Sequence, residues 1–247
     1  MYKKITHHIV EEHFDHPIAA ELKSRIDKTN KTTPINKKNN TKPKGYIEVY
    51  DCSSEKTQKD SISYWSQLAW RIRSLVVSIT SGSTDIDSLK TQLVADIDNI
   101  SNIVSLCYGK EAASQFKTLF IAVALSLADV LVKIKNDEDT TDAMKILADD
   151  TKSLGDFLES ANSLWPSTAV VDILTQVENS YIMQAISRMK KEWEAADSAA
   201  DGAYNILVVK QENGNSSFAD IFSSGIIDCM ETKIENEIYN ALDYMES

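Results

Sequence analysis

The sequence predicts an all-α protein, an antiparallel helical bundle with an extended N-terminal arm and a long C-terminal helix. Glycine (7) and proline (4) are scarce among the 247 residues, so few positions interrupt a helix. Amphipathic runs follow one another from residue 61 to the end. The stretch 110–136 is apolar on nearly every side, which is typical of a helix at the centre of a core. Charges at Lys117, Asp129 and Lys133 exclude it as a membrane span, which needs about 20 apolar residues.

Residues 1–60 are predicted to be an N-terminal arm and polar linker, and residues 61–247 the helical bundle. Pro17 suits the first turn of a short helix that ends near Asp27. Residues 28–45 are Lys, Asn, Thr and Pro with almost nothing apolar, so they are predicted to form a linker. Residues 46–50 alternate in polarity and are the one strand candidate.

All four histidines lie in the arm, at His7, His8, His13 and His16. His8, Glu12 and His16 would share one face of a helix and form a candidate metal site. Two observations weaken it: the residue before Pro17 avoids the helical region, and familiar zinc spacings are absent. The alternative is a set of exposed histidines on a polar arm.

Seven helical segments are predicted from residue 61 onwards. The break between the fifth and sixth is left open, near Lys190 or absent. Gly82 and Gly109 are expected to end the first two segments. The segments are 61–80, 84–109, 110–136, 141–161, 166–189, a sixth that carries Trp193 and Tyr204, and 218–244.

The last helix repeats apolar residues every four positions beyond what the bundle needs to cover. We expect it to bind a partner or to self-associate, with folding back on its own bundle as the alternative. Protein partners are therefore predicted at the arm and at the C-terminal helix, in an oligomer or a larger assembly.

Charge is unevenly spread along the chain. Residues 28–59 carry eight lysines and three acids, a net charge of +5, whereas residues 61–247 carry 14 basic and 28 acidic residues, a net charge of −14. The acidic body argues against a nucleic-acid-binding bundle, because phosphate contacts need a cationic face. The linker can touch an anion or the acidic body, or remain a solvated tether.

Three cysteines, Cys52, Cys107 and Cys229, are widely spaced and odd in number, which is unlike a disulfide framework. Cys107 and Cys229 lie on apolar helical faces, where a thiol acts as a small hydrophobe. A reducing compartment fits best, and the first residues contain no apolar signal segment. We therefore expect an intracellular protein, cytoplasmic or within a virion, that is not secreted and binds no membrane.

Several chemistries are excluded from the bundle. No histidine follows His16, so a di-metal site of Glu-x-x-His pairs and a histidine-based nucleophilic site are both ruled out there. No two glycines are closer than eleven residues, which excludes nucleotide-binding glycine loops. The acidic pair Asp149 and Asp150 fits surface solvation. We expect no catalytic residues and no cofactor, and tryptophans and tyrosines in the core and at interfaces.

Three segments of the bundle, YWSQLAWRIRSLVVSITSG, SLKTQLVADIDNISNIVSLCYGKEAASQF and SLGDFLESANSLWP, resemble a family of small bacterial helical-bundle proteins. Its members carry loose names such as glycosyltransferase or acetylglutamate kinase. The matching positions are Trp65 with Ala69; Asp98, Tyr108, Gly109 and Ala112; and residues 157–162 followed by Trp165.

The resemblance covers residues 61–230 and implies a shared bundle fold. It also implies histidines near the start of the first helix and in the central helix. This chain instead has Ala69 and apolar residues around Ala122, so any ligand of those histidines is not bound here in the same way. A chain rich in Lys, Asn and Ile is also compatible with a divergent member from a large DNA virus. The function predicted is a non-enzymatic structural or protein-interaction protein, a minor component of a viral particle or other assembly. A small-ligand or metal-binding bundle is the alternative.

Overall fold

The computed structural model describes residues 54–209 and 216–246. These residues form six helices and no strand, which confirms the all-α bundle. The predicted arm helix, the linker and the strand candidate 46–50 lie outside the described residues. The helices are α1 Ser54–Ser81, α2 Ile86–Asn136, α3 Thr141–Ala161, α4 Ser167–Met189, α5 Trp193–Val208 and α6 Phe218–Glu246.

Glycine stops the first helix and bends the second. Gly82 has φ +69°, and the Ser83 amide donates to Ser78 O at 2.9 Å, a left-handed helix end. Gly109 has φ 83° and ψ 172°, so α2 consists of two helical segments, 86–108 and 110–136, joined without a loop. The predicted boundaries at both glycines are confirmed, whereas α1 begins at Ser54 rather than at residue 61.

Short connections place successive helices from α1 to α5 side by side, as in bundles. α1 packs on α2, α4 and α5, and α2 also packs on α3 and α4. The break left open near Lys190 is present, because Lys191 has φ +64° and α5 restarts at Trp193. The second segment of α2, predicted to be central, buries most of its apolar side chains.

Aromatic side chains fill the centre of the compact unit Ser54–Cys229. The Trp65 ring lies 5.5 Å from Phe120, 4.9 Å from Phe218 and 5.4 Å from Phe222, measured between centroids. Such packing joins α1, α2 and the start of α6. The apolar spacing of α3 predicts Ile146, Leu147 and Leu154 as inward residues; Leu147 and Leu154 are buried, whereas Ile146 is 54% exposed, so the prediction for Ile146 is wrong. The part of α6 after Cys229 falls in a separate unit and is described only as helix.

Candidate functional site

The predicted metal site His8, Glu12 and His16 lies outside the described residues. Within the ranges 54–209 and 216–246, no group of three or more His, Cys, Asp or Glu side chains is arranged to hold a metal ion. No helix in these ranges is long and apolar enough to span a membrane.

Cys107 of α2 and Cys229 of α6 form a disulfide, with Cα atoms 6.1 Å apart. The prediction that both are unpaired thiols on apolar faces is therefore wrong. Cys107 is buried and Cys229 half-buried, but a cysteine on an apolar helical face looks the same in the sequence whether it is free or paired. Structural disulfides are typical of oxidising compartments, and the reducing compartment stays a prediction.

Residues that carry the resemblance to bacterial bundle proteins meet beside this disulfide. The Tyr108 hydroxyl donates to Gly225 O at 3.1 Å, and Asn162 Nδ2 donates to the same oxygen at 2.9 Å. Asn162 Nδ2 also lies 2.9 Å from the Tyr108 hydroxyl and 3.3 Å from Asp228 Oδ2. Burial raises the pKa of Tyr108, so the phenol stays protonated and serves as a donor.

The motif tryptophan completes the same cluster. Trp165 Nε1 donates to Ile221 O at 3.0 Å, and its ring stacks on Phe222 at 5.4 Å between centroids. Gly225 lets the helix approach the indole this closely. The contacts to Gly225, Asp228, Ile221 and Phe222 attach this part of α6 to α2 and to the loop after α3. The motif residues therefore build a structural anchor.

Glu178 of α4 is a buried carboxyl group that the sequence did not reveal. Its side chain accepts a hydrogen bond from Thr151 Oγ1 of α3 at 2.6 Å and is only 6% exposed. Desolvation raises its pKa to about 7, against the weaker opposing effect of the Thr151 hydroxyl. Enclosure between two helices keeps this group away from a substrate in solvent.

A cleft of about 190 Å³ lies where α1 and α5 pack together. Its floor is Ala69 and Ala200, two small buried residues that allow the helices to approach. Ala69 is the position at which the bacterial resemblance implies histidine. The cleft is also lined by Trp70, Arg73 and Tyr204.

Arg73 organises the charges of the cleft. Its Nη1 atom donates to Asp201 Oδ1 at 2.8 Å and its Nη2 atom to Asp197 Oδ1 at 3.0 Å. Its guanidinium carbon lies 5.2 Å from the centroid of Trp70, within cation–π range. Trp70 is 54% exposed, and its ring centroid lies 5.9 Å from that of Tyr204.

A second tryptophan–arginine pair lies at the other end of α5. Trp193 is 55% exposed, and the Arg188 guanidinium carbon is 5.5 Å from its centroid. Arg188 Nε donates to Thr80 Oγ1 at 2.9 Å, which connects this pair to α1 as well. We name the surface formed by α1, α5 and the end of α4 the arginine–tryptophan face; it comprises Trp70, Arg73, Arg188, Trp193, Asp197, Asp201 and Tyr204.

The sequence contained one usable signal for this face. Trp70 follows the inward Trp65 by five residues, about 140° around a helix, and so cannot share its direction. We predicted that tryptophans lie in the core or at interfaces, and Trp65 is a core residue. The place of Trp70 beside α5 depended on how distant helices pack, which periodicity does not encode.

Comparisons of the chain with protein-family models, with curated proteins and with solved structures found no match.

Proposed function

We propose that this protein is a non-enzymatic interaction protein that binds another protein through the arginine–tryptophan face. The observation that supports it most is the pair of tryptophans, Trp70 and Trp193, each more than half exposed and each beside an arginine. Tryptophan, tyrosine and arginine are the residue types that dominate binding energy at protein interfaces.

The size of the cleft favours a protein partner over a small ligand. At about 190 Å³ it falls below the roughly 300 Å³ at which small-molecule sites begin. It suits one side chain that projects from a larger partner. Exposed ring surface outside the cleft, at Trp70 and Trp193, then adds contact area around that side chain.

The non-enzymatic part of the proposal rests on the chemistry of the buried and polar groups. Tyr108 and Asn162 are used in the anchor of α6, and Glu178 is enclosed between helices. Arg73 is ion-paired with both Asp197 and Asp201. Such a set recognises charge and shape better than it transfers protons.

The broader proposal is a role as a minor component of an assembly, such as a viral particle. In this proposal the arm 1–60 and the C-terminal helix supply further contacts to protein partners, and the arginine–tryptophan face is one docking surface among several.

The direct test is selection of binders from a random peptide library by the full-length protein and by Trp70→Ala. Ile146→Ala is a matched control, because Ile146 is equally exposed but lies on α3. We expect a set of peptides that bind the wild type and Ile146→Ala but not Trp70→Ala. Circular dichroism must show that all three proteins are folded. If no selected peptide depends on Trp70, the face is not a docking surface and the proposal fails.

A further inference from the structure

We infer that the partner presents a cation to this face, a lysine or arginine side chain from a basic segment. The inference rests on the proposed function and specifies the chemistry of its partner. It is argued from charge, exposure and the geometry of the aromatic rings.

The charges of the cleft are arranged with the base inside and the acids outside. The Arg73 side chain is 24% exposed, whereas those of Asp197 and Asp201 are 67% and 66% exposed. One arginine facing two aspartates leaves a net charge of −1. Each aspartate uses Oδ1 for Arg73, and a carboxylate has capacity for further donors. An approaching partner therefore meets carboxylate oxygens first.

Helix α5 as a whole is also acidic. Its sequence contains Glu194, Asp197 and Asp201 and no basic residue. Acids in the first turn stabilise a helix through its dipole, and this explains Glu194. It does not explain Asp201, which lies at the ninth position of this helix of 16 residues. The acid nearest the cleft is thus not accounted for by helix stability.

The aromatic rings favour the same ligand. Trp70 and Tyr204 are tilted by 51° to each other, so their π faces border the cleft from two directions. The Arg73 guanidinium lies over Trp70, which shows that an arginine side chain packs on this ring. Aromatic faces together with carboxylates are the combination that recognises lysine, arginine and other organic cations.

The position of the Trp193–Arg188 pair relative to the cleft defines the spacing expected between two basic residues of the partner. Eight residues of α5 separate Trp193 from Asp201, about 12 Å along the helix axis. About four residues of an extended chain cover that distance. Glu192 and Glu194, both exposed, flank Trp193. The segment that fits best carries basic residues at positions i and i+4 in an extended conformation.

The test uses three synthetic peptides with the full-length protein: one with arginines at i and i+4 among alanines and serines, one with glutamates there, and one with the two arginines adjacent. Binding is measured by fluorescence anisotropy and by tryptophan fluorescence. We expect the i, i+4 arginine peptide to bind most tightly and to weaken as salt rises from about 0.05 M to about 0.5 M. The glutamate peptide should not bind.

Two double variants distinguish binding of the peptide at a specific site from non-specific attraction of the peptide to an acidic protein. Asp197→Asn/Asp201→Asn should weaken the arginine peptide roughly tenfold. Asp149→Asn/Glu159→Gln removes the same charge from exposed positions of α3 and should leave binding unchanged. Equal weakening by both double variants would overturn the inference, because it would mean non-specific electrostatics. Thermal unfolding must show that Asp197→Asn/Asp201→Asn stays folded. That variant removes the ion-pair partners of Arg73, so Trp70→Ala and the salt dependence of the wild type test the specific site with both aspartates retained.

The library selection distinguishes the inference from the proposed function. Peptides that depend on Trp70 and are enriched in Lys or Arg support both. If Trp70-dependent peptides are neutral or acidic, the inference is overturned and the docking surface stands. An absence of Trp70-dependent peptides overturns the docking surface itself.

Discussion

Trp165 lies directly against Gly225, so that a β-carbon built on Gly225 would be 2.6 Å from Trp165 Cζ2. This contact, between the loop after α3 and the first half of α6, is closer than any residue other than glycine permits. The anchor of α6 therefore depends on Gly225, a residue outside the segments quoted for the resemblance.

We expect Gly225→Ala to destabilise the protein by about 1–3 kcal/mol, because the new methyl group forces Trp165 away from Phe222. Urea unfolding followed by tryptophan fluorescence measures the change. Gly202→Ala in α5 is the control, since its β-carbon would lie 3.9 Å from Ser180 Oγ, an ordinary contact. That variant should be neutral or more stable by up to about 1 kcal/mol. Equal behaviour of the two variants would contradict the close packing at Trp165.

Loss of the Cys107–Cys229 disulfide should lower the free energy of unfolding by about 2–4 kcal/mol. The unfolded chain gains freedom when the bond that closes so long a loop is removed. Thermal unfolding with and without a thiol reductant measures the effect on the wild type. The double variant Cys107→Ser/Cys229→Ser should not respond to reductant. Three free thiols in the denatured, unreduced protein would show that the bond does not form.

Stability should fall as pH rises from about 4.5 to about 7, through Glu178. Its pKa is raised from 4.5 to about 7 in the folded state, so the folded protein binds this proton more tightly than the unfolded chain. The full contribution is present below about pH 4.5 and is lost as pH passes about 7. Glu178→Gln should remove this slope, which amounts to about 3 kcal/mol at most. The exposed Glu159→Gln should keep it, and parallel curves for wild type and Glu178→Gln would refute the assignment.

Removal of the N-terminal arm is best tested at Ser54. Thr57 of α1 is buried, so a chain that starts at residue 61 lacks two helical turns that pack on the bundle. We expect the chain 54–247 to remain folded by circular dichroism and to be monomeric by light scattering, whereas the full-length protein associates. A truncated chain that associates equally would remove the arm as an assembly element.

The helices were predictable because apolar spacing reports burial along a single segment. Gly82 and Gly109 also appeared as breaks, since a left-handed backbone strongly favours glycine. The partners of distant residues were not predictable. Cys107 and Cys229 are 122 residues apart, and neither their spacing nor their apolar faces indicates a bond.

In the candidate site, too, positions along one helix were predictable and contacts between distant helices were not. Trp70 could be placed off the inward stripe of α1, but its neighbour Tyr204 is 134 positions away and reaches it through the packing of α5 on α1. The burial of Glu178 was not predictable, because a single glutamate in an amphipathic helical pattern indicates a solvent-exposed position. Its burial follows from the packing of α3 on α4, which places Thr151 beside it.

The Cys107–Cys229 bond turns residues 107–229 into a covalent ring that includes the connection between α5 and α6. A protease that cuts one peptide bond anywhere inside this ring opens it without releasing a fragment. Such a nick would be invisible by mass on a non-reducing gel and would appear as two bands only after reduction. The chain can therefore be cleaved inside the ring while all its pieces stay joined, a tolerance that ends as soon as the disulfide is reduced.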